Sequence, residues 1–408
     1  MESNVWPPYW GFDVLEKRIE IVKTGGSFLY SKSGDKFFDG ISSWWSVCHG
    51  YNNPHIVSEM QKCLKKMPHV MFGGITHDYA EKLSKMITNF LGNNFEKVFF
   101  CDSGSVATEV AIKMALQYWR AMNIESKTHI LAFEGCYHGD TFMAGAVSSD
   151  DELFTQNYVS NVIIVNLPKT NEDFVEFENF LEKNHKNIAC SIIEPLLQGA
   201  AGVKIYSREI LRRIYRIVKK FDILFIQDEC ATGFYRTGQS FAFKHCDIIP
   251  DIVTLGKALS GGHASLACVC TNAEIFSTIS KNGRFKHGPT FMANPLACSA
   301  AIGSIELFNS FNYRHAVLEI ENIFNAFALR LKKKYNLNAR VLGAIFAVEL
   351  NANASDVRLY VYNNINKLKL WVRPIGKTLY LMPPLNSNID DLHNALISFE
   401  EIVNVFKG

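Results

Sequence analysis

The sequence lacks long hydrophobic runs and lacks a surplus of either charge. None of its apolar runs approaches the roughly 18 consecutive residues that a membrane-spanning helix needs. Lys and Arg number 42 against 40 for Asp and Glu, and the formal net charge of +2 argues against a nucleic-acid or membrane surface. The first residues also lack the apolar, positively flanked segment of a secretory signal. We therefore expect a soluble cytoplasmic protein.

Zinc-ligand spacing is also missing, although the chain has ten cysteines. Cys268 and Cys270 lie two apart on an apolar, strand-like run, so their side chains share one face, but no further Cys or His follows at ligand spacing. Cysteines scattered through a long chain fit reduced thiols better than a disulfide framework. We interpret this pair as core residues and predict no metal site.

Short apolar runs alternate with helical patterns between about residue 97 and residue 271. The runs are KVFF (97–100), HILAF (129–133), NVIIV (161–165), ACSIIE (189–194), ILFIQ (223–227), DIVTLG (251–256) and SLACVCT (265–271). Amphipathic stretches lie between several of them, for example at 105–122 and 207–220. Strand-like runs that are apolar on both faces and separated by helices predict an α/β fold with a mostly parallel seven-stranded sheet.

The remaining residues predict a second, smaller domain. After about residue 293, long helical patterns precede short strands and a closing helix, which is an α+β arrangement. SFLYSKSGDKFFDG (27–40) is typical of a strand hairpin. A chain of 408 residues is too long to fold around one simple hydrophobic core. We expect residues 1–41 and 311–408 to form the small domain and residues 42–310 to form the large one.

Two predicted strand ends carry groups of opposite charge. The strand ILFIQDE (223–229) brings Asp228 to its carboxyl end, which is where open parallel sheets bind ligands. Lys257 follows the next run, DIVTLG, one crossover later. An acid after a strand is on its own more often a helix cap, so the pair needs further support.

Support comes from two segments near the same edge. FCDSGSVATEVAIKMA (100–115) turns from a strand through SGS (103–105) into a helix, whose N-terminus favours a phosphate group. The turn has neither the GxxxxGK[ST] nor the GxGxxG spacing, so a nucleotide is not the first expectation. GCYHGD (135–140) places Tyr137 and His138 just after the next strand.

Together these groups meet the requirements of pyridoxal phosphate. Its aldehyde needs an amine, which Lys257 offers, and its ring nitrogen needs a carboxylate, which Asp228 offers. Its phosphate needs a helix N-terminus, and its flat ring needs an aromatic face such as that of Tyr137. The sequence therefore predicts pyridoxal 5′-phosphate as the cofactor.

The chain resembles the class III aminotransferases of fold type I. FIQDECATGFYRTG (225–238), followed by PDIVTLGKALSGG (250–262), carries this resemblance. The further matching blocks, which extend it from about Trp6 to Pro384, are DGISSWWSVCHGYNNP (39–54), HVMFGGITH (69–77), DSGSVATEVAIKMALQYW (102–119), HGPTFMANPLAC (287–298) and VRPIGKTLYLMPP (372–384). Within the family, the blocks are most similar to those of enzymes that aminate 8-amino-7-oxononanoate.

The resemblance implies a role for each matching residue. Lys257 is similar to the lysine that bonds the cofactor aldehyde, and Asp228 to the acid on the pyridinium nitrogen. Gly104 and Ser105 resemble the phosphate-binding turn. Tyr137 resembles the aromatic residue that stacks on the ring, and with Lys257 and Asp228 it makes up the expected catalytic set.

Substrate binding and assembly are implied in the same way. Tyr9, Trp44 and Arg373 match residues of the substrate pocket, where a planar guanidinium suits the carboxylate of a keto acid. Pro289 and Thr290 look like the segment that reaches the phosphate of the neighbouring subunit's cofactor. The resemblance thus implies a homodimer with shared active sites.

The implied reaction is transamination of 8-amino-7-oxononanoate to 7,8-diaminononanoate in biotin biosynthesis. S-adenosylmethionine is the expected amino donor, but lysine serves in some relatives, and no single residue here decides between them. Two alternatives stay open, namely another class III ω-aminotransferase (ornithine, 4-aminobutyrate or a diamine) and a cofactor-binding regulator without turnover. The tryptophan pair argues against the first, and the presence of every matched residue argues against the second.

Three positions depart from the family pattern. Pro7 stands where a histidine is frequent, Tyr235 where a glycine is usual, and His263 where a small or hydroxyl residue is common. Their effect on the shape of the pocket is open at this point.

Four further polar residues are interpreted as structural. Arg236, in FYRTG, is expected to be a structural partner. His49, His77 and His138 are expected to be satisfied histidines and not bases, because a lysine in the site can itself move the proton.

Overall fold

Seven strands form the central sheet among the residues that the computed structural model describes, which are 4–9, 18–92, 94–149 and 154–407. In sheet order the strands are Lys97–Cys101, Ala267–Thr271, Ile252–Leu255, Leu224–Asp228, Ile188–Ile193, His129–Phe133 and Val162–Val165. Ala267–Thr271 runs antiparallel to both neighbours, and the other four pairs are parallel. Each strand falls on one of the seven apolar runs, so the predicted sheet is confirmed.

Helices cover both faces of this sheet over two hydrophobic cores. Successive side chains of a strand enter opposite cores, as Phe225 and Ile226 do. Gly104–Ala121 and Ala273–Lys281 cover the Ile226 side. The helices of the Phe225 side are Asp78–Leu91, Asn171–Asn184, Arg208–Lys220 and Pro295–Ser310. Because each fully buried side chain of this kind contributes about 1.5–3 kcal/mol, the sheet is a stable platform for the residues at its edge.

The two ends of the chain build smaller sheets. Strands Ile21–Gly25, Phe28–Ser31 and Lys36–Asp39 pair antiparallel in that order, which confirms the predicted hairpin. Lys36–Asp39 also pairs in parallel with Leu370–Trp371, so the first strands join the C-terminal part of the chain. A second small sheet contains Ala339–Val341, Phe346–Glu349 and Thr378–Leu381. The boundaries of the two domains stay a prediction.

Further helices follow local start signals. Pro54–Lys66 begins at a proline, and the side chain of Asn53 accepts a hydrogen bond from the N–H of His55. The others are Phe142–Ala146, Tyr313–Tyr335, Ala354–Asn363, Ile365–Leu368 and Ile389–Phe406. A two-stranded ribbon pairs Leu197–Gln198 with Lys204–Ile205. Across the described ranges, no helix combines the length and the apolar character needed to cross a membrane.

The cysteines lie inside the fold. All ten are buried and none forms a disulfide. Cys268 and Cys270 are fully buried in the strand Ala267–Thr271, with sulfur atoms 3.8 Å apart. The prediction that this pair belongs to the core is confirmed.

Candidate active site

Asp228 and Lys257 emerge at the same edge of the central sheet. Strand Leu224–Asp228 ends at Asp228, and its parallel neighbour Ile252–Leu255 ends two residues before Lys257. Asp228 is opposite Thr254 in the register. Both side chains therefore leave the sheet at its carboxyl end, where parallel sheets bind ligands. The structure brings together the two residues that the sequence placed at successive strand ends.

Asp228 is a buried carboxylate with three hydrogen-bond donors. Its Oδ1 accepts from Oγ1 of Thr254 (2.8 Å) and from the N–H of Cys230 (3.1 Å). Its Oδ2 accepts from Nδ1 of His138 (2.9 Å). Burial on its own raises the pKa of Asp228, but the hydrogen bond and charge of His138, together with the charge of Lys257, outweigh burial and lower the pKa below its usual value. The carboxylate is therefore ionised at neutral pH.

His138 is the counter-charge of this carboxylate. Its carbonyl accepts from Oγ1 of Thr108 (3.0 Å), and its N–H donates to Oγ of Ser148 (2.8 Å). Burial lowers the pKa of His138, but the hydrogen bonds of Asp228 and Cys136 outweigh it and raise the pKa to about 10. His138 is thus more than the structural histidine that the sequence predicts, and its contact with Asp228 was not predicted. The signal was its place in GCYHGD, at the same sheet edge as Asp228.

The turn that opens the helix Gly104–Ala121 is suited to an anion. Ser103 caps the helix by accepting a hydrogen bond from a backbone N–H of the first turn, while the first N–H groups have no partner within the helix itself. Oγ of Ser105 accepts from the N–H of Asp140 (3.1 Å). A Cβ on Gly139 would lie 2.0 Å from that Oγ. Only glycine allows this approach, so the loop after strand His129–Phe133 packs directly on the turn.

Cys230 connects this turn to the lysine. A Cβ on Gly104 would lie 3.3 Å from Sγ of Cys230, and a Cβ on Gly256 would lie 3.2 Å from the same atom. Gly104 begins the helix and Gly256 precedes Lys257. The helix start and the lysine segment therefore both pack against Cys230, just after the end of the Asp228 strand.

Lys257 lies at the start of a short 3₁₀ turn, with a φ of +45° in the left-handed region. The carbonyl of Ala258 accepts a hydrogen bond from Oγ of Ser304 (3.1 Å), which fixes the backbone there. Nζ of Lys257 lies 4.8 Å from the ring centroid of Trp45. An amine at this distance is attracted to the ring face. Trp45, which is itself buried, therefore also orients the lysine.

Tyr137 is linked to the residue that follows strand Ile188–Ile193. Its hydroxyl donates to Oδ1 of Asp140 (2.5 Å), and its N–H donates to Oε2 of Glu194 (2.9 Å). Burial, followed by the hydrogen bond to Asp140, raises the pKa of Tyr137, so the phenol is protonated at neutral pH. Burial also raises the pKa of Glu194 to about 7. Glu194 is not among the residues that the sequence predicts for the site.

The three residues predicted for the substrate pocket meet at Trp44. The ring centroid of Trp44 lies 6.2 Å from that of Tyr9, edge to face, and 5.9 Å from Cζ of Arg373. Trp44 is 45% exposed, so much of its ring surface faces solvent. Their roles toward a substrate stay predictions.

Pro289 and Thr290 lie in an exposed loop before the helix Pro295–Ser310. The loop is attached to the helix Gly104–Ala121, where Nζ of Lys113 donates to the carbonyl of Lys286 (2.5 Å). The predicted contact with the cofactor of a neighbouring subunit stays a prediction.

Tyr235 points into an aromatic cluster. Its ring stacks on Tyr313 with a centroid distance of 6.3 Å and lies 5.9 Å from the ring of Phe308. The bulk that replaces the usual glycine is therefore absorbed by packing. The two other departures are Pro7, near the half-exposed Tyr9, and His263, whose Nδ1 bonds the carbonyl of Gly261 at 3.0 Å.

The remaining residues interpreted as structural do have structural partners. Nη1 of Arg236 donates to the carbonyls of Ala344 (3.2 Å) and Pro383 (2.7 Å). His49 bonds Tyr313 and Ser304, and His77 bonds the carbonyl of Ala293.

Both the family profile and the named proteins to which the chain is similar are aminotransferases. The sequence profile of the family described as Aminotransferase class-III matches residues 12–403. The chain is similar to adenosylmethionine-8-amino-7-oxononanoate aminotransferase from Buchnera aphidicola subsp. Acyrthosiphon pisum, with 38% identity over 94% of this chain and 92% of that protein. Relatives with the same name from Corynebacterium glutamicum (36%, covering 93% and 92%) and Saccharomyces cerevisiae (33%, covering 100% and 95%) are also similar.

Solved structures match the fold over its whole length. An amine transaminase from an uncultivated Pseudomonas species, in its PLP-bound form, superposes with a TM-score of 0.92 at 23% identity, covering 100% of this chain and 99% of that one. A transaminase from the marine bacterium Virgibacillus gives a TM-score of 0.92 at 23% identity, with 99% and 97% covered. The predicted fold of the PLP-dependent transferases is confirmed.

Proposed function

The chain belongs to the class-III aminotransferase family, and from this membership we propose that it transfers an amino group to 8-amino-7-oxononanoate and forms 7,8-diaminononanoate in biotin biosynthesis. The observation that carries the substrate is the set of relatives of that one name, which match more than nine-tenths of both chains. The enzyme is an aminotransferase that uses pyridoxal phosphate.

The residues at the sheet edge fit this cofactor. Asp228 is 5% exposed and yet ionised, which suits a cationic ring nitrogen placed against it. Gly104 and Ser105 would hold the phosphate at the helix N-terminus, Tyr137 would stack on the ring, and Lys257 would bond the aldehyde. When bound, pyridoxal phosphate supplies a carbonyl carbon that takes up the amino group and a protonated ring that stabilises negative charge at the reacting carbon.

The protein groups then have separate tasks. Nζ of Lys257 takes the proton from the carbon that bears the amino group of the donor, and Trp45 holds this amine in place. Asp228 keeps a proton on the ring nitrogen, while His138 keeps Asp228 ionised and correctly turned. Burial of this pair excludes water, which strengthens both interactions.

The Tyr9, Trp44 and Arg373 group supports the choice of a long keto acid. 8-Amino-7-oxononanoate carries its carboxylate at the end of an apolar chain opposite to the reacting carbonyl. Arg373 beside the exposed face of Trp44 offers a guanidinium for that carboxylate next to an apolar wall for the chain. The reacting end would then point toward Lys257, which lies against the neighbouring Trp45.

The donor, the assembly and the compartment belong to the same proposal. S-adenosylmethionine is the proposed amino donor, because the relatives' name contains it. A homodimer is supported by the exposed Pro289 and Thr290 loop and by nearby exposed apolar side chains such as Phe291, which is 56% exposed. Ten unpaired cysteines agree with a reducing cytoplasm.

A half-reaction tests the proposal. Enzyme loaded as the pyridoxamine form is mixed with 8-amino-7-oxononanoate, and the return of the aldehyde absorbance is followed. We expect return with this keto acid and not with the aldehyde derived from 4-aminobutyrate. Return with the latter alone would favour another ω-aminotransferase, and return with neither would favour a regulator. The donor is identified in the opposite half-reaction. Enzyme in the pyridoxal form is mixed with S-adenosylmethionine or with lysine, and the true donor should make the aldehyde absorbance fall.

A further inference from the structure

Residues Ser42–Trp45 form a single left-handed turn. Their φ angles are 48°, 45°, 52° and 72°, although none of the four is glycine. The turn is closed by hydrogen bonds from the N–H of Trp45 to the carbonyl of Ile41 (2.8 Å) and from the N–H of Ser46 to the carbonyl of Ser42 (3.0 Å). Residues with a Cβ disfavour this conformation. A run of four persists only where the surroundings hold it, and such strain is concentrated at functional sites.

Asp39 holds this turn. It ends the strand Lys36–Asp39 and is 1% exposed. Its Oδ1 accepts from the N–H of Ile41 (3.0 Å). Its Oδ2 accepts from the N–H of Ser43 (2.8 Å) and from the hydroxyl of Tyr51 (2.5 Å). The carboxyl group of Asp39 thus binds one N–H within the turn, that of Ser43, and the N–H of Ile41 directly before it, and is itself held by a tyrosine.

The turn carries the two indoles that face the proposed site. Trp44 contacts Tyr9 and Arg373 on the side proposed for substrate. Trp45 lies under Nζ of Lys257. A Cβ on Gly199 would lie 2.7 Å from Cη2 of Trp45, so the backbone at Gly199 packs directly against this ring. A right-handed turn would send the neighbouring side chains in other directions, so the left-handed conformation is what lets both rings face the site.

We propose that Asp39 is a positioning residue for substrate, because it holds the left-handed turn that places Trp44 beside Arg373 and Trp45 beneath Lys257. Asp39 itself touches neither substrate nor cofactor and acts through the turn. The proposal rests on the proposed function, since the substrate measured is 8-amino-7-oxononanoate.

The variant Asp39→Asn tests this proposal in the holoenzyme. The amide keeps the size of the side chain but replaces one acceptor oxygen by a donor, so the N–H of Ser43 or of Ile41 loses its partner. We expect the KM for 8-amino-7-oxononanoate to rise about tenfold, with a smaller change in kcat, because a buried backbone N–H loses its acceptor. Asp35→Asn is the matched control. Asp35 lies in the preceding hairpin, where it accepts a hydrogen bond from Ser33 and forms an ion pair with Lys369. The KM of the Asp35→Asn variant should therefore stay within about twofold of wild type.

A second substitution distinguishes the turn from a general loss of stability. Glycine adopts the left-handed conformation at no steric cost, so Ser43→Gly added to Asp39→Asn should bring the KM back toward the wild-type value. The same glycine added to Asp35→Asn should bring no gain. If Asp39→Asn fails to fold, Tyr51→Phe removes the hydrogen bonds of this hydroxyl to Asp39 and to Oγ of Ser43 but keeps both backbone contacts of Asp39, and a smaller rise of the KM is expected.

Near-ultraviolet circular dichroism makes the test independent of the assigned substrate. Asp39→Asn should change the tryptophan bands that Trp44→Phe and Trp45→Phe identify, and Asp35→Asn should leave them unchanged. Failure of the proposed function would appear as wild-type enzyme inactive on the keto acid, with these bands still responding to Asp39→Asn. An unchanged KM and unchanged bands in a folded Asp39→Asn variant, or no recovery with Ser43→Gly, would overturn the positioning role.

Discussion

Nδ1 of His138 donates a hydrogen bond to Oδ2 of Asp228 over 2.9 Å, and both side chains are buried. The pair is a cation held against an anion inside the protein, at the edge where the cofactor is proposed to bind. His138 therefore fixes both the charge and the direction of the carboxylate. This relationship makes a pH dependence of stability an expected property of the fold.

His138→Asn should remove that pH dependence. The folded pKa of His138 is raised to about 10 from 6.5, so its contribution to stability is complete below pH 6.5 and is lost as the pH rises through about 10. The free energy of unfolding of cofactor-free wild type should thus fall over this range. Asn still donates to Asp228 but does not titrate, so its curve should be flatter. Denaturant unfolding at several pH values measures both, and parallel curves would contradict the assigned pair.

Arg373→Ala should weaken binding of the keto acid. The guanidinium is proposed to bind the substrate carboxylate, and loss of a charge-assisted contact costs about 10- to 100-fold in affinity. Steady-state kinetics with varied 8-amino-7-oxononanoate give the KM. Arg373→Lys keeps the charge but loses the planar fork, so we expect an intermediate value. A wild-type KM in Arg373→Ala would exclude this residue from the pocket.

Arg236→Ala should destabilise the protein. Burial lowers the pKa of this guanidinium to about 10, and its Nη1 satisfies the carbonyls of Ala344 and Pro383. Removal leaves both carbonyls without this donor and costs about 3 kcal/mol of unfolding free energy. Arg216→Ala, on the exposed side of the helix Arg208–Lys220, is the control and should change stability by less than about 0.5 kcal/mol. Equal effects in chemical denaturation would refute the structural role.

Tyr235→Gly should change stability without changing substrate affinity. The ring packs on Tyr313 and Phe308, while its backbone has a φ of 67°, which glycine tolerates better. Lost aromatic packing exceeds the relieved strain, so a net cost of about 1–2 kcal/mol is expected. Tyr235→Phe keeps the ring and should be nearly neutral. A changed KM in Tyr235→Gly would mean that this side chain shapes the pocket after all.

The central sheet and the cofactor edge were predictable because their signals are local. Seven runs of β-branched and aromatic residues became the seven strands. The rule that parallel sheets bind ligands at their carboxyl ends then located Asp228 and Lys257. Start signals are local as well, since Pro54 is the first residue of its helix and Ser103 directly precedes the helix that it caps.

Features that depend on distant partners were not predictable. The apolar run that contains Ala267–Thr271 predicts a strand but not the direction of that strand in the sheet. The direction is antiparallel because of how the strand pairs with its two neighbours. The residues of the left-handed turn at Ser42–Trp45 disfavour that conformation, and a distant partner helps to hold it, since Oγ of Ser42 donates to the carbonyl of Met382 (2.7 Å). The side-chain direction of Tyr235 depends on Phe308 and Tyr313, which come much later in the chain.

The most direct test of the central claim is to locate the covalent attachment of the cofactor. Holoenzyme reconstituted with pyridoxal phosphate is reduced with borohydride, digested and examined by peptide mass spectrometry. The adduct should lie on Lys257, and Lys257→Ala should carry none while keeping the wild-type far-ultraviolet circular dichroism. An adduct on another lysine, or no adduct in wild type after reconstitution, would contradict a site built by Lys257 and Asp228.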